Sequence, residues 1–254
     1  MGRKKMAVSR EKFRDWLATT LGGGELADYC PNGLQVEGAP LIRRVVLGVT
    51  ASQALIDEAI ARKADALIVH HGLFWRGDPY VLEGWRKRRV AALLRHNINL
   101  FAYHLPLDAH PELGNNARWA AAMGWEVNGH FGEQNLACLG EGPEETLAVL
   151  TAHIAQVLGR EPLVIGDWQK PIKKIAWCSG AAQDGLEDAA RLGADAYLSG
   201  EISERTTHLA RETGTAYLAC GHHATERFGV LALAGLIKKT FGLSAHFVDI
   251  DNPV

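Results

Sequence analysis

The sequence predicts an α/β protein of layered architecture, built from two related parallel-sheet halves with a small segment inserted between them. Three observations carry this. Short apolar runs alternate with amphipathic helical stretches, the pattern of parallel strands covered on both faces. The same programme then repeats within the chain, as an internal duplication would. The 254 residues, 47% hydrophobic and 22% charged, are enough to bury one large core or two small ones.

The same composition excludes a disordered or fibrous chain. A formal net charge of −2 offers nucleic acid no general attraction. No apolar run reaches the ~18 residues of a membrane helix, so no membrane partner is expected. Met1-Gly2-Arg3-Lys4-Lys5-Met6 has a basic tip without an apolar stretch behind it, which fits neither a secretory signal nor a myristoylation site. The four cysteines (Cys30, Cys138, Cys178, Cys220) form no C-x-x-C pair and suit a cytoplasmic location.

Taken in order, Ser9 caps a first helix with Phe13, Trp16, Leu17 and Leu21 on one face. Gly22-Gly23-Gly24 ends it. These glycines follow a helix, not a strand, and so read as a terminator instead of a phosphate loop. Residues 28–38 are turn-rich and do not fit a helix. A buried strand at 45–49 leads to a helix capped by Ser52, with Leu55, Ile56, Ala59 and Ile60 inside. The strand at 66–69 ends at His70-His71. The next helix places Val90, Leu93 and Leu94 inward and the basic run Arg86-Lys87-Arg88-Arg89 on a solvated face, ending near Asn97. A third strand, 98–102, ends at His104.

The duplication is read residue by residue. Ile172-Lys173-Lys174-Ile175 matches Ile42-Arg43-Arg44-Val45. Without a gap, Ala181, Gln183, Ala189, Ala194, Asp195 and Ala196 match Ala51, Gln53, Ala59, Ala64, Asp65 and Ala66. The third strands correspond as well, and a carboxylate follows each at the same distance: His104 and Asp108 in the first copy, His222 and Glu226 in the second. Residues 125–170 form the inserted segment. It holds a strand at 136–139, then a helix with Pro143 at its first position and Leu147, Leu150, Ile154, Val157 and Leu158 on its apolar face, ended by Gly159. The expected division is therefore 1–124, 125–170 and 171–254, packed as one two-lobed unit.

Ligand sites in parallel sheets gather beyond the carboxyl ends of the strands. His70, His71, His104, Asp108, His222 and Glu226 all fall there. His222 and Glu226, four apart, share one face if a helix starts at that point, with Phe228, Leu231 and Ile237 continuing its apolar side. A lone strand-end histidine is mostly structural, and His96, His110, His130, His153, His208, His223 and His246 stay in that class. Adjacent histidines together with a repeated His-x3-carboxylate point instead to a metal site. Without nearby cysteines, the donors favour Zn²⁺, Fe²⁺ or Mn²⁺. Cys220, among small apolar neighbours, reads as buried and not as a nucleophile, and Ser179 lacks a nucleophile elbow.

Several segments together resemble the family of GTP cyclohydrolase I type 2 homologs, or Nif-three-like proteins. They are Asp28-Tyr29-Cys30-Pro31-Asn32-Gly33-Leu34-Gln35-Val36, Gly48-Val49-Thr50-Ala51-Ser52, Val69-His70-His71-Gly72-Leu73-Phe74-Trp75, His104-Leu105-Pro106-Leu107-Asp108 with Gly114-Asn115-Asn116, Ser199-Gly200-Glu201, and Gly221-His222-His223-Ala224-Thr225-Glu226-Arg227. The chain is similar to the short members, which lack a large inserted domain. The resemblance implies two divalent ions per subunit on His70, His71, Asp108, His222 and Glu226, with His104 beside them, and a ring-shaped homohexamer. It suggests a metal-dependent hydrolase of a small molecule, a nucleotide or cyclic amide, with His104 and Glu226 in catalytic roles. The competing class is a non-catalytic metal-binding regulator or scaffold, which would use the same ligands.

Overall fold

The computed structural model describes residues 6–22 and 26–254. The basic tip at residues 1–5 and the glycines Gly23 and Gly24 lie outside the described residues. Two compact units emerge: the chain up to Leu113 with Gly229–Asp251, and Gly114–Phe228 with Asn252–Val254.

In the first unit, β1 (Val8–Ser9) leads into α1 (Arg10–Leu21). The Ser9 hydroxyl accepts from the Lys12 N–H at 3.2 Å, and Gly22, at φ 65°, ends the helix. The turn-rich stretch contains a strand the sequence did not suggest, β2 (Gly33–Val36), followed by β3 (Leu41–Ile42). Then come β4 (Arg44–Thr50), α2 (Gln53–Ala61) capped by Ser52, β5 (Ala66–His71), α3 (Gly84–Arg95), β6 (Asn99–Ala102) and the short α4 (Leu105–Ala109). Leu94 is exposed, contrary to its expected inward position, while Val90 and Leu93 are buried. Nor is the basic run simply solvated. Arg86 and Arg89 sit over the Trp85 ring, 5.1 and 4.7 Å from its centroid, and Arg86 pairs with Asp78 at 2.8 Å.

The second unit begins with α5 (Asn115–Met123), β7 (Gly129–Phe131) and β8 (Ala137–Glu141). Next, α6 (Leu147–Leu158) starts after Thr146 and not at Pro143, because Glu144 takes a positive φ of 59° that a helix cannot continue. β9 (Leu163–Ile165), β10 (Lys174–Trp177), α7 (Leu186–Arg191), β11 (Ala196–Ser199), α8 (Glu204–Thr213), β12 (Ala216–Ala219) and the four-residue α9 (His222–Thr225) follow. The chain then returns to the first unit through α10 (Arg227–Phe241) and β13 (Ser244–Phe247). The helix expected to run on from His222 is thus two helices with Glu226 at the break, and Leu231 on the second is exposed.

Each unit has its own main sheet, and the first also holds a two-stranded antiparallel pair of β1 with β3. The first orders its strands β13-β4-β5-β6-β2, parallel except for β2, which runs antiparallel along β6. That pairing with β4 is why the last strand belongs to the first unit, whereas the sequence division kept 171–254 together. In the second, β10-β11-β12 form the parallel centre. The 125–170 segment supplies the antiparallel neighbours, β7 and β8 on one side and β9 on the other.

Strand alternation sorts the cores. Val45, Leu47 and Val49 of β4 pack with Phe13 and Leu17 of α1 and Val230, Leu233 and Ile237 of α10. Val46 faces the other way, towards Leu55, Ile56 and Leu93 of α2 and α3. Gly48 lets α2 come close, since a Cβ there would stand 2.5 Å from the Leu55 side chain. In the second unit, Ile175 and Trp177 pack with α5 and α6, while Ala176 and Tyr197 face α7 and α8.

The duplication is written in hydrogen bonds as well as in elements. Asp65 Oδ2 accepts from the Arg43 and Arg44 N–H groups, both at 2.8 Å. At the matching place, Asp195 Oδ2 accepts from Lys173 and Lys174 at 2.9 and 3.0 Å. Each carboxylate ties the loop before strand two to the start of strand one. Asp65→Ala and Asp195→Ala are each expected to cost about 1–3 kcal/mol, the price of orphaned backbone donors, measured as a lowered urea midpoint with unchanged slope.

Candidate metal centre

β5 and β6 are parallel neighbours, so His70 and His71 at the end of one, and His104 after the other, leave the same end of the first sheet. His70 is fully buried. Its Nδ1 lies 3.1 Å from the Tyr103 carbonyl oxygen, which can only accept, so Nδ1 carries the proton and Nε2 the lone pair of the neutral ring. Nε2 is 3.5 Å from Oδ2 of the buried Asp108, on α4. His71 Nδ1 lies 3.0 Å from the Thr50 hydroxyl on the adjoining strand.

The rings of His70 and His71 are 4.6 Å apart, closer than opposite faces of a regular strand would allow; they converge where β5 ends. Ring centroids of His104 stand 5.1 Å from His70 and 5.7 Å from His71, and one nitrogen from each of the three lies within 4.8 Å of the others. Trp75 meets the His104 ring edge-on at 5.0 Å.

The second unit places its donors on α9 and just after it. His222 Nε2 is 3.0 Å from Glu226 Oε1, and its Nδ1 is 2.7 Å from Glu201 Oε1. Burial alone would push this imidazole down, but the carboxylates of Glu226 and then Glu201 overrule it and raise it to about 9. Gly180, at φ +70°, makes room for the group: a Cβ there would lie 2.4 Å from Glu226 Oε1 and 3.3 Å from His222 Nε2. Gly180→Ala is therefore expected to displace Glu226 and to weaken zinc binding at least tenfold, read by competition with a chromophoric chelator, besides costing about 1 kcal/mol for the left-handed backbone.

Each unit thus gathers its own sequence-predicted residues: His70, His71, His104 and Asp108 in the first, His222 and Glu226 in the second. Three further residues stand in segments quoted from the sequence but received no site role there. Asp28 and Glu201 each bind the Nδ1 of a histidine at 2.7 Å. Asn116 fixes the end of β10, its Oδ1 accepting from the Ser179 N–H at 2.8 Å. A signal for Glu201 was present, because the ungapped match of the two copies runs on to pair it with His71. Other histidines serve locally, as when His110 Nδ1 accepts from the Glu112 and Leu113 N–H groups. Cys220 is fully buried and its thiol held far above the ordinary range by burial, which removes it as a nucleophile. No helix among the described residues is long and apolar enough to cross a membrane.

A family model described as Duf34/NIF3 (NGG1p interacting factor 3) matches residues 9–253. A Neisseria meningitidis serogroup A protein named GTP cyclohydrolase 1 type 2 homolog is 52% identical over 247 residues, 97% of this chain and 99% of that protein. Among solved structures, one described as protein ybgI, of unknown function, is similar with a TM-score of 0.93 at 44% identity, covering 97% and 100% of the two chains. A Thermus thermophilus protein, TTHA1606, is similar at 34% identity with a TM-score of 0.85, covering 97% and 99%.

Proposed function

The chain belongs to the Duf34/NIF3 family, and from that premise we propose that it is a metal-dependent hydrolase holding two divalent ions on His70, His71, Asp108, His222 and Glu226. The observation that carries the reading is the convergence of the His70 and His71 rings, 4.6 Å apart at the end of β5, with the buried Asp108 carboxylate 3.5 Å from His70 Nε2. The donors fit such ions. They are nitrogen and carboxylate oxygen without thiolate, which suits zinc, iron or manganese.

A bound divalent pair supplies Lewis acidity and acidifies a water towards neutral pKa. The chain's own residues do the rest. The Tyr103 carbonyl, the Thr50 hydroxyl and the Glu201 carboxylate orient His70, His71 and His222 through their Nδ1 atoms, a second layer that fixes ligand geometry. Asp108 and Glu226 balance the cationic charge. His104 takes up and returns a proton at the reacting centre. The name carried by the Neisseria relative points to a substrate of the nucleotide or cyclic-amide class.

The test is metal analysis of freshly purified protein, followed by a hydrolysis screen of reconstituted protein against GTP, cyclic amides and phosphoesters. Bound metal and a turnover that Asp108→Ala abolishes are expected. Metal without any turnover would sink the hydrolase reading and favour a metal-binding regulator or scaffold. Self-association into a homohexameric ring, in a cytoplasmic setting, belongs to the same proposal. The exposed run of Tyr80, Val81, Leu82 and Trp85 supports it as a surface a second copy would cover, and light scattering tests it.

A further inference from the structure

We propose that Asp28 is a positioning residue: it holds His104 as the Nδ1-protonated tautomer, so that Nε2 is the atom that accepts a proton at the site. This deepens the hydrolase reading, on which it rests for its chemistry but not for its test.

The assignment follows from donor and acceptor counting. Asp28, whose side chain is only 4% exposed, accepts five hydrogen bonds. Oδ1 takes the Tyr29 N–H at 2.6 Å, the Cys30 N–H at 3.1 Å and His104 Nδ1 at 2.7 Å. Oδ2 takes Asn32 Nδ2 at 2.8 Å and the Leu105 N–H at 3.0 Å. Four of these partners are N–H groups that can only donate, so the carboxyl is ionised and can only accept. The fifth, His104 Nδ1, must then be the donor. In the neutral ring this leaves the lone pair on Nε2, the far side from Asp28.

The ring has little freedom to turn. Asn32 Oδ1 accepts the His104 backbone N–H at 2.8 Å, and Trp75 stands edge-on to the ring. The second copy repeats the device at the matching histidine, where Glu201 binds His222 Nδ1 at the same 2.7 Å. Two carboxylates from unrelated places in the chain, one before β2 and one after β11, do the same thing to duplicated imidazoles. In the reaction, Nε2 takes one proton from water or substrate, giving an imidazolium whose Nδ1–H remains on the Asp28 carboxylate, and later returns it.

Long-range ¹H–¹⁵N correlation of the histidine rings, with His104 assigned through His104→Gln, reads the tautomer in the protein without and with zinc. The wild type is expected to show the Nδ1–H form, and Asp28→Ala, which leaves Nδ1–H without its acceptor, to shift His104 towards Nε2–H. A wild-type His104 carrying its proton on Nε2 overturns the proposal, even if Asp28→Ala does not fold. So does an Asp28→Ala protein with an unchanged tautomer. Where a substrate is found, Asp28→Ala should lower kcat at least ~100-fold with little change in KM or zinc content. Failure of every substrate refutes the hydrolase reading and leaves the tautomer result standing.

Discussion

Zinc affinity of the metal-free protein should rise about tenfold for each pH unit up to about pH 9, through the single proton that His222 must release. Glu226 lies 3.0 Å from one ring nitrogen and Glu201 2.7 Å from the other, so the imidazolium is favoured until well above neutrality. The same pair contributes to folding. A group whose folded pKa is raised stabilises fully below its unfolded value of 6.5 and loses that stabilisation as pH rises through 9. The amount is on the order of 3 kcal/mol for the metal-free chain. Glu201→Gln removes one of the two carboxylates while keeping the proposed donors. It should lower the pH at which the affinity levels off by about one unit and weaken the plateau affinity about 10–100-fold, and because proton competition is then relieved about tenfold, the net loss at pH 7 should be about tenfold smaller than at the plateau. Competition titrations from pH 6 to pH 10 check both. A pH-independent affinity would show that His222 does not carry this proton.

The features legible in the sequence were those with local causes. Ser9 and Ser52 announced their helices because an N-cap acts within three residues, and each accepts from the N–H three positions on. The parallel triads were legible because continuous apolar runs mark strands covered on both faces. Asp108 and Glu226 were legible because a fixed spacing recurred in two copies. Edge strands were not. β2 hides in a segment rich in turn residues, and it becomes a strand only because β6 offers it an unpaired edge. Helix limits suffered where one backbone angle decided them, as with Glu144, and the outward positions of Leu94 and Leu231 depend on packing that the 3.6-residue period cannot weigh.

The site shows the same division. Donors at strand ends could be read, since the fold rule says where such residues gather. The orienting role of the groups behind them could not, although Asp28 and Glu201 stand in segments quoted from the sequence, because their partners are remote: Asp28 is 76 residues from His104, and Glu201 is 21 from His222. What the structure adds is therefore chiefly the hydrogen-bonded layer behind the ligands. It turns a set of candidate side chains into rings whose orientation is fixed by a partner at Nδ1.

That layer leans on the core, and Trp177 is where the two meet. Its side chain is fully buried beside Trp125, at 5.3 Å between ring centroids, and its Nε1–H donates to the Asn116 carbonyl at 3.1 Å. The next residues of the chain reach Ser179, whose N–H is held by Asn116 Oδ1, and Gly180, which makes room for Glu226. Trp177→Ala should cost about 3–5 kcal/mol, since it opens a large cavity and also removes one hydrogen bond to a buried carbonyl. Trp177→Phe keeps most of the packing and loses mainly the hydrogen bond, so about 1–2 kcal/mol is expected. Because the Asn116–Ser179 bond survives in Trp177→Phe, its zinc affinity should stay within about threefold of wild type. Asn116→Ala, which breaks that bond, should lower zinc affinity about tenfold or more, in the range seen when the support of a ligand is removed. Urea denaturation and zinc competition on the three variants separate the two effects. Equal loss of affinity in Trp177→Phe and Asn116→Ala would mean that the tryptophan, and not the asparagine, sets the position of Gly180.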